Sequence, residues 1–325
     1  MTIGYDKYVA ALRRVGVLVG TVLVAVAIGH VFLVSTTGDE SFASAVSSTP
    51  GYMRDVFVHF DLGDTDGRRC GKPDSLHPGG PLCASYSPGS VAHLLVDRVQ
   101  VDVLLLTVGA FLGLLIGVAG GRFCATHPGT RRARVLHVAT AFQLAAPVFF
   151  QALLVIFYFS SNVSEFIRLP FISGQGQYVP VQQDPIQFLQ AMWVPWLLIA
   201  FPLAALLLRI TEASLRDDLQ EDFIRTARAK GVPERRVINH HALPVAGPAI
   251  AAMTGVNVST MLINVAVIEV VYGIPGLFRV INNAVHDPAD IAVLQALVLE
   301  GVVLIVVANA LVDVVHYLLD PRVRG

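Results

Sequence analysis

Charge is scarce in this chain. Only 14% of its 325 residues are Asp, Glu, Lys or Arg, against about 25% in an ordinary soluble domain. Cysteine is scarcer still, with three in all, too few for a disulfide scaffold. Lysine occurs only at Lys7, Lys72 and Lys230. None of these sits in G-x-x-x-x-G-K-[ST], so the phosphate-cradling loop of nucleotide hydrolases is missing from the pattern. The ten histidines form no H-E-x-x-H, and no paired C-x-x-C accompanies them. His240 and His241 are adjacent, so on a helix they point about 100° apart. No G-x-S-x-G or other nucleophile–base pattern is present. The expectation is therefore no catalytic residue, no metal site and no cofactor held by this chain. The net charge of −1 says little about partners, and no nucleic acid is expected among them.

What the chain does have is long apolar runs. Apolar residues make up 54% of it, and the mean hydropathy is +0.63. A helix that crosses about 30 Å of hydrocarbon needs about 20 apolar residues. Six segments qualify, at about 15–34, 101–121, 135–159, 192–208, 245–271 and 291–317. Backbone groups in lipid must be satisfied internally, which makes helices the expected form. Outer-membrane strands would alternate with period two over about ten residues, and these runs do not. The fold class expected is an all-α polytopic membrane protein with six transmembrane helices and an extracytoplasmic loop domain after the first. The first segment, preceded by Lys7, Arg13 and Arg14 and followed by Ala43-Ser44-Ala45, could be mistaken for a signal peptide. Its apolar run is too long for a typical one, and it reads as a retained anchor.

Basic residues set the orientation. Sixteen of the 23 Lys and Arg residues lie in the N-terminal tail, the second-to-third connection, the fourth-to-fifth connection and the C-terminal tail. Both termini are thus expected in the cytoplasm. The organisation that follows is a tail and first helix over 1–34, an extracytoplasmic loop over 35–98, a core of helices two to six over 99–319, and a cytoplasmic tail over 320–325. Cys70 and Cys83 fall in the Gly/Pro/Asp/Ser-rich loop, where an oxidising compartment favours a disulfide. Cys124, at the cytoplasmic edge of the second span, has no evident mate and reads as reduced and structural. The sequon Asn162-Val163-Ser164 is too weak alone to carry meaning.

Two spans carry pattern beyond hydropathy. Gly109, Gly113, Gly117 and Gly121 recur every four residues, about 400° of helix, so they share a slowly drifting face. Small residues on one face let helix backbones approach closely in lipid. In the fifth span Asn257, Thr260 and Asn264 follow i, i+3/i+4 spacing beside Met253 and Met261, with Glu269 toward the outer end. The sixth span carries Glu300, Asn309 and Asp313. Polar groups in lipid face a bundle interior or a wet cavity. Asn257, Thr260, Met261, Asn264 and Glu269 are candidates for a translocation path, with interhelical hydrogen bonding as the plain alternative.

The stretch DFIRTARAKGVPERRVINHHALP, residues 222–244, interrupts the oily segments. Residues 215–230 read as a helix, with Asp217, Asp218, Glu221 and Asp222 early and Arg225, Arg228 and Lys230 late, the order that suits the helix dipole. Gly231 stands where a left-handed cap wants glycine. Pro233 opens a second helix to about Ala242, and Leu243-Pro244 leads into the fifth span. The result is a stiff corner projecting between spans.

This stretch resembles the EAA loop of ABC importer permeases, Glu-Ala-Ala-x3-Gly-x9-Ile-x-Leu-Pro. Gly231 takes the glycine place, and His241-Ala242-Leu243-Pro244 closes the motif. Arg225-Thr226-Ala227 stands in the Glu-Ala-Ala place, and Arg225-Thr226-Ala227-Arg228-Ala229-Lys230-Gly231 resembles the usual form of the peptide and nickel branch. Tyr272-Gly273-Ile274-Pro275-Gly276-Leu277 resembles that branch's aromatic-x-x-Pro-Gly-Leu element, although Phe278 stands where a second glycine is common. Leu311-Val312-Asp313, Tyr317 and Leu319-Asp320-Pro321-Arg322-Val323-Arg324 resemble its closing signature. Leu169-Pro170 and Ser173-Gly174 resemble its external loop more weakly.

The resemblance implies the type I importer permease fold. It also implies a coupling loop over 212–244, in which Arg225 to Gly231, Glu234, Arg235, His241, Leu243 and Pro244 face a cytoplasmic ATPase. The partners implied are a second homologous permease, two ATP-binding subunits or a fused one, and an extracytoplasmic peptide-binding protein. ATP and Mg would belong to the ATPase. Peptide import is the function implied. A nickel or chelated-metal importer of the same branch is an alternative, and an ion-driven secondary transporter a more distant one.

Overall fold

The computed structural model describes residues 2–37, 41–65, 88–160, 167, 169, 171–285 and 290–319. Helices dominate them. They divide into two compact units, one made of 1–102 and 275–307 and the other of 103–274 and 308–325. Four helices are long and apolar enough to cross a membrane, and six spans result if each of two bent helix pairs counts as one.

In the first unit, α1 (Thr2–Thr37) is followed by α2 (Phe42–Arg54). Ser41 caps α2 by accepting from the Ser44 N–H at 3.3 Å, the role serine performs at a helix start. A π-helical turn, Asp55–His59, closes α2 and ends at Phe60 with φ +53. Strand β1 (Asp64–Thr65) pairs antiparallel with β2 (Gly89–Ser90), directly before α3 (Val91–Thr126). Helix α3 therefore starts about ten residues earlier than hydropathy placed its span. Its first polar turns, with His93, Asp97 and Arg98, are helical although they are not apolar.

The core of this unit joins Val26, Val56, Leu62, Val91, Leu95, Leu277, Val293 and Leu297. The ring of His30 stacks on Tyr52, 4.2 Å between centroids. His30 also meets Ser48 Oγ at 3.2 Å and Gln295 Nε2 at 3.0 Å. Burial pushes the Tyr52 hydroxyl up to about 12. The fully buried Asp102 accepts from the backbone N–H of Leu277 at 3.0 Å, tying down the Pro-Gly-Leu element. The hydroxyl of Thr65 donates to the Asp290 carboxylate, just ahead of α10 (Ile291–Leu319).

The second unit holds α4 (Arg131–Ala145), α5 (Val148–Phe159) and α6 (Pro185–Asp218). The span expected over 135–159 is not one helix: α4 and α5 meet at 108°. Pro147 is the cause. A proline disfavours helical geometry at the residue before it, and Ala146 is extended, φ −95 and ψ 124. The freed Ala146 carbonyl accepts from Gln151 Nε2 at 2.8 Å. By contrast, Pro195 and Pro202 lie inside an unbroken α6. Asp184 caps α6 by accepting from the N–H groups of Ile186 and Gln187, with Pro185 opening the helix.

The glycine stripe of α3 packs on another helix, as its spacing predicts, and that helix is α6. A Cβ at Gly113 would meet the Ala200 carbonyl at 3.0 Å, at Gly117 Leu207 Cβ at 2.7 Å, and at Gly121 the Leu208 carbonyl at 2.5 Å. Backbone lies against backbone over about two turns.

Candidate functional site

The charged stretch folds into the corner the sequence suggests, with two differences. Residues 215–230 are not one helix. Helix α6 ends at Asp218, and 219–221 form a turn closed by Gln220 N–H to the Asp217 carbonyl (3.1 Å) and Glu221 N–H to the Asp218 carbonyl (3.1 Å). Four acids within six residues repel one another in a continuous helix, and the turn separates them. Helix α7 is then Asp222–Ala229.

The second difference follows Pro233. Helix α8 (Glu234–Arg236) runs into a π-helical turn, Val237–Ala242, and on into α9 (Leu243–Tyr272) without a break. Pro244 has no N–H to give, which would leave a gap in an i→i−4 ladder. The wider turn ahead of it instead closes through Leu243 N–H to the Ile238 carbonyl, and the helix survives its proline. It bends by 48° further along, near residue 258.

Between α7 and α8 the chain reverses at Gly231, φ +77. Its N–H reaches the Arg228 carbonyl at 2.9 Å, and the N–H of Val232 reaches the Ala227 carbonyl at 3.3 Å. Those bonds satisfy carbonyls orphaned at the end of α7. No atom lies within 4 Å of where a Cβ would sit on Gly231. Glycine is needed for its dihedral angles, not for space.

A small core supports the corner. Ile224 and Ala227 on α7 meet Leu215, Val237, Ala242 and Ala125, with Leu219, Val232 and Leu243 at the edge. Arg228 is the clip across it. Its Nε and Nη2 donate to the two oxygens of Glu234 at 3.1 and 2.7 Å, and its Nη1 donates to the Leu219 carbonyl at 3.3 Å. One guanidinium thus joins the end of α6, α7 and α8, the bidentate geometry that favours Arg over Lys. The Arg228 hydrogen bonds hold the Glu234 carboxyl below its usual range, and the same bonds raise the Arg228 guanidinium. Sequence reading placed both residues in the loop but missed that they pair.

The outer surface of the corner consists of Phe223, Arg225, Thr226, Ala229, Lys230, Arg235 and Arg236, all exposed, with Pro244 exposed beyond the π turn. Arg225 pairs locally with Asp222, at 3.2 Å. Phe223, 44% exposed, was not singled out from the sequence. The signal available was a lone aromatic within a charged run. His241 is half-buried and Leu243 packs beside the small core.

The polar residues of the fifth span do not converge. Met261 and Glu269 are buried, Asn257 and Asn264 half-buried, and Thr260 exposed. The Asn257 amide donates to the Met253 carbonyl one turn back, 2.8 Å. The arc from Asn257 to Asn264 therefore straddles the edge between the packed and open sides of α9. Of the sixth-span residues, Glu300 is buried and Asn309 half-buried. Cys70, Cys83, Pro170 and the tail from Asp320 lie outside the described residues.

Comparison with known proteins places this arrangement in a class. The family description of the binding-protein-dependent transport system inner membrane component matches residues 113–325. The chain belongs to that family, the membrane components of ABC transporters. Among its relatives is y4tP of Sinorhizobium fredii, named a probable peptide ABC transporter permease protein. The two are 30% identical over 234 residues, 72% of each chain. The oligopeptide transport system permease protein AppB of Bacillus subtilis is 27% identical over 234 residues, again 72% of each.

Proposed function

We propose that the chain is the transmembrane permease subunit of an ATP-driven importer that moves oligopeptides or dipeptides across the cytoplasmic membrane. The observation that carries the reading is the clipped corner over 219–244, present in a chain of this family whose relatives bear the names of peptide permeases. A coupling element must transmit a push without yielding. Here one guanidinium ties three segments over a packed base, and a glycine turn shows a short basic helix to solvent.

In this reading α7 docks on a cytoplasmic ATPase that binds ATP and Mg, and Phe223, Arg225 and Lys230 make the contact. A second permease completes the path, lined on this side by the open edge of α9 with Asn257, Thr260 and Asn264. An extracytoplasmic peptide-binding protein delivers substrate. Both termini and the corner are cytoplasmic, and the loop over 35–98 is extracytoplasmic, with Cys70 and Cys83 bridged. The nickel-importer alternative gains nothing from Asn257, Thr260 and Asn264, which offer amides and a hydroxyl rather than soft ligands.

The test is a pull-down of the chain in mild detergent, with ATPase activity assayed in the eluate. Co-purification of a second permease and an ATPase is expected, together with their loss when Phe223 and Arg225 are replaced by Asp. A chain that purifies alone under conditions that preserve complexes would overturn the proposal.

A further inference from the structure

Cys124 on α3, His137 on α4 and Glu212 on α6 are 13 and 75 residues apart in sequence, which is no motif. The fold nevertheless gathers them. The Cys124 Sγ, a ring nitrogen of His137 and a carboxylate oxygen of Glu212 all lie within 4.8 Å of one another. Cys124 and Glu212 are buried, while the His137 side chain is 44% exposed. His137 lines a cleft of about 360 Å³ with Gly129, Thr130, Ala133 and Arg134. The cluster thus has two buried ligands, one half-open ligand and an approach from outside.

We infer that these three side chains form a binding site for a divalent zinc-class metal ion, with water from the cleft as the fourth ligand. The donor set selects the metal. Thiolate and imidazole suit zinc and disfavour magnesium and calcium, which want oxygens alone. Three protein ligands plus an open position is a normal zinc arrangement. Its ligand atoms stand roughly 3.5 Å apart at bond lengths of about 2.0–2.3 Å. His137 Nε2 already sits 3.4 Å from Glu212 Oε1. The ion would replace the Cys124 thiol proton, which leaves to solvent, and no electron moves.

Arg216 is the built-in competitor. Its Nη2 lies 2.6 Å from Glu212 Oε1, and its side chain is 47% exposed. A metal on Glu212 would repel it toward water. The ion would also join α3, α4 and α6 a turn and a half before α6 ends at the corner, stapling the base on which the corner stands.

The experiment uses the full chain in detergent, carrying Cys70→Ser and Cys83→Ser so that Cys124 is the sole thiol. After chelator stripping it is titrated with Zn2+ against an indicator, and with Co2+ as a spectroscopic probe. One equivalent of Zn2+ and a thiolate-to-cobalt absorption band are expected. Cys124→Ser should abolish the band, and both Cys124→Ser and His137→Gln should weaken Zn2+ binding by about tenfold or more. Arg216→Gln should tighten it, an effect that a purely structural ion-pair network would not produce. Binding that is unchanged by Cys124→Ser, or less than one equivalent bound, would overturn the site. Neither result depends on what the protein transports.

Discussion

Two features make the corner what it is, and they act by different physics. Gly231 supplies a left-handed turn with open space around it. A valine there meets no neighbour, but it must hold a backbone conformation that costs about 1–2 kcal/mol. Gly231→Val should therefore leave the chain in the membrane and at normal abundance, while uncoupling ATP hydrolysis from uptake in proteoliposomes. Wild-type uptake by that variant would count against a coupling role for the corner.

Arg228–Glu234 is an exposed pair, worth a few tenths of a kcal/mol after solvent screening. Its carboxyl is held below the ordinary range. The pair's contribution is accordingly complete above the unfolded carboxyl pKa, and it disappears as pH falls through the lower, folded value. Hydrogen exchange at the 228–237 amides should quicken as pH drops below about 4.3, the ordinary Glu value, once corrected for intrinsic rates. Glu234→Gln should show that quickened exchange at every pH. An acid transition that persists in Glu234→Gln would assign it to another group.

At the scale of elements, the contact between α3 and α6 decides the second unit. The four-residue glycine spacing was legible as a packing face, because a helix repeats every 3.6 residues and small residues have one use there. The partner helix was not legible, since any of the apolar spans could have supplied it. The structure also ranks the glycines. A methyl at Gly120, beside the stripe, meets first the end of the Leu208 side chain, at 2.7 Å, which can turn aside. A methyl at Gly121 meets a backbone carbonyl at 2.5 Å and Thr211 Cβ at 2.6 Å, which cannot. Gly121→Ala should lower the melting temperature in detergent clearly more than Gly120→Ala, with overpacking costs on the order of 1–3 kcal/mol. Equal losses would mean that α3 shifts as a body to accept either methyl.

Helix breaks were harder to read. Pro147 splits a span that hydropathy drew as continuous. Pro195, Pro202 and Pro244 leave their helices unbroken, and ahead of Pro244 the helix widens into a π turn.

For the whole molecule, the distribution of charge predicts an arrangement that intact cells can report. A membrane-impermeant thiol reagent should label neither Cys70 nor Cys83 until a reductant is added outside, and should never reach Cys124. Labelling before reduction would remove the bridge. Labelling only after the membrane is opened would invert the orientation. The sequence by itself determined that this is a multi-helix membrane chain, where its apolar runs lie, that a capped glycine corner interrupts them, and which family the corner resembles. Those properties are local: run length, helical period, and the dihedral needs of glycine and proline. Only the tertiary structure decided that Arg228 grips Glu234 and Leu219, that α6 receives the glycine stripe, that the polar residues of α9 divide between buried and open sides, and that Cys124, His137 and Glu212 meet. The first depends on the glycine turn that brings α8 back beside α7, and the other three depend on which helix faces which, across stretches of chain too long to leave a spacing for a reader to find.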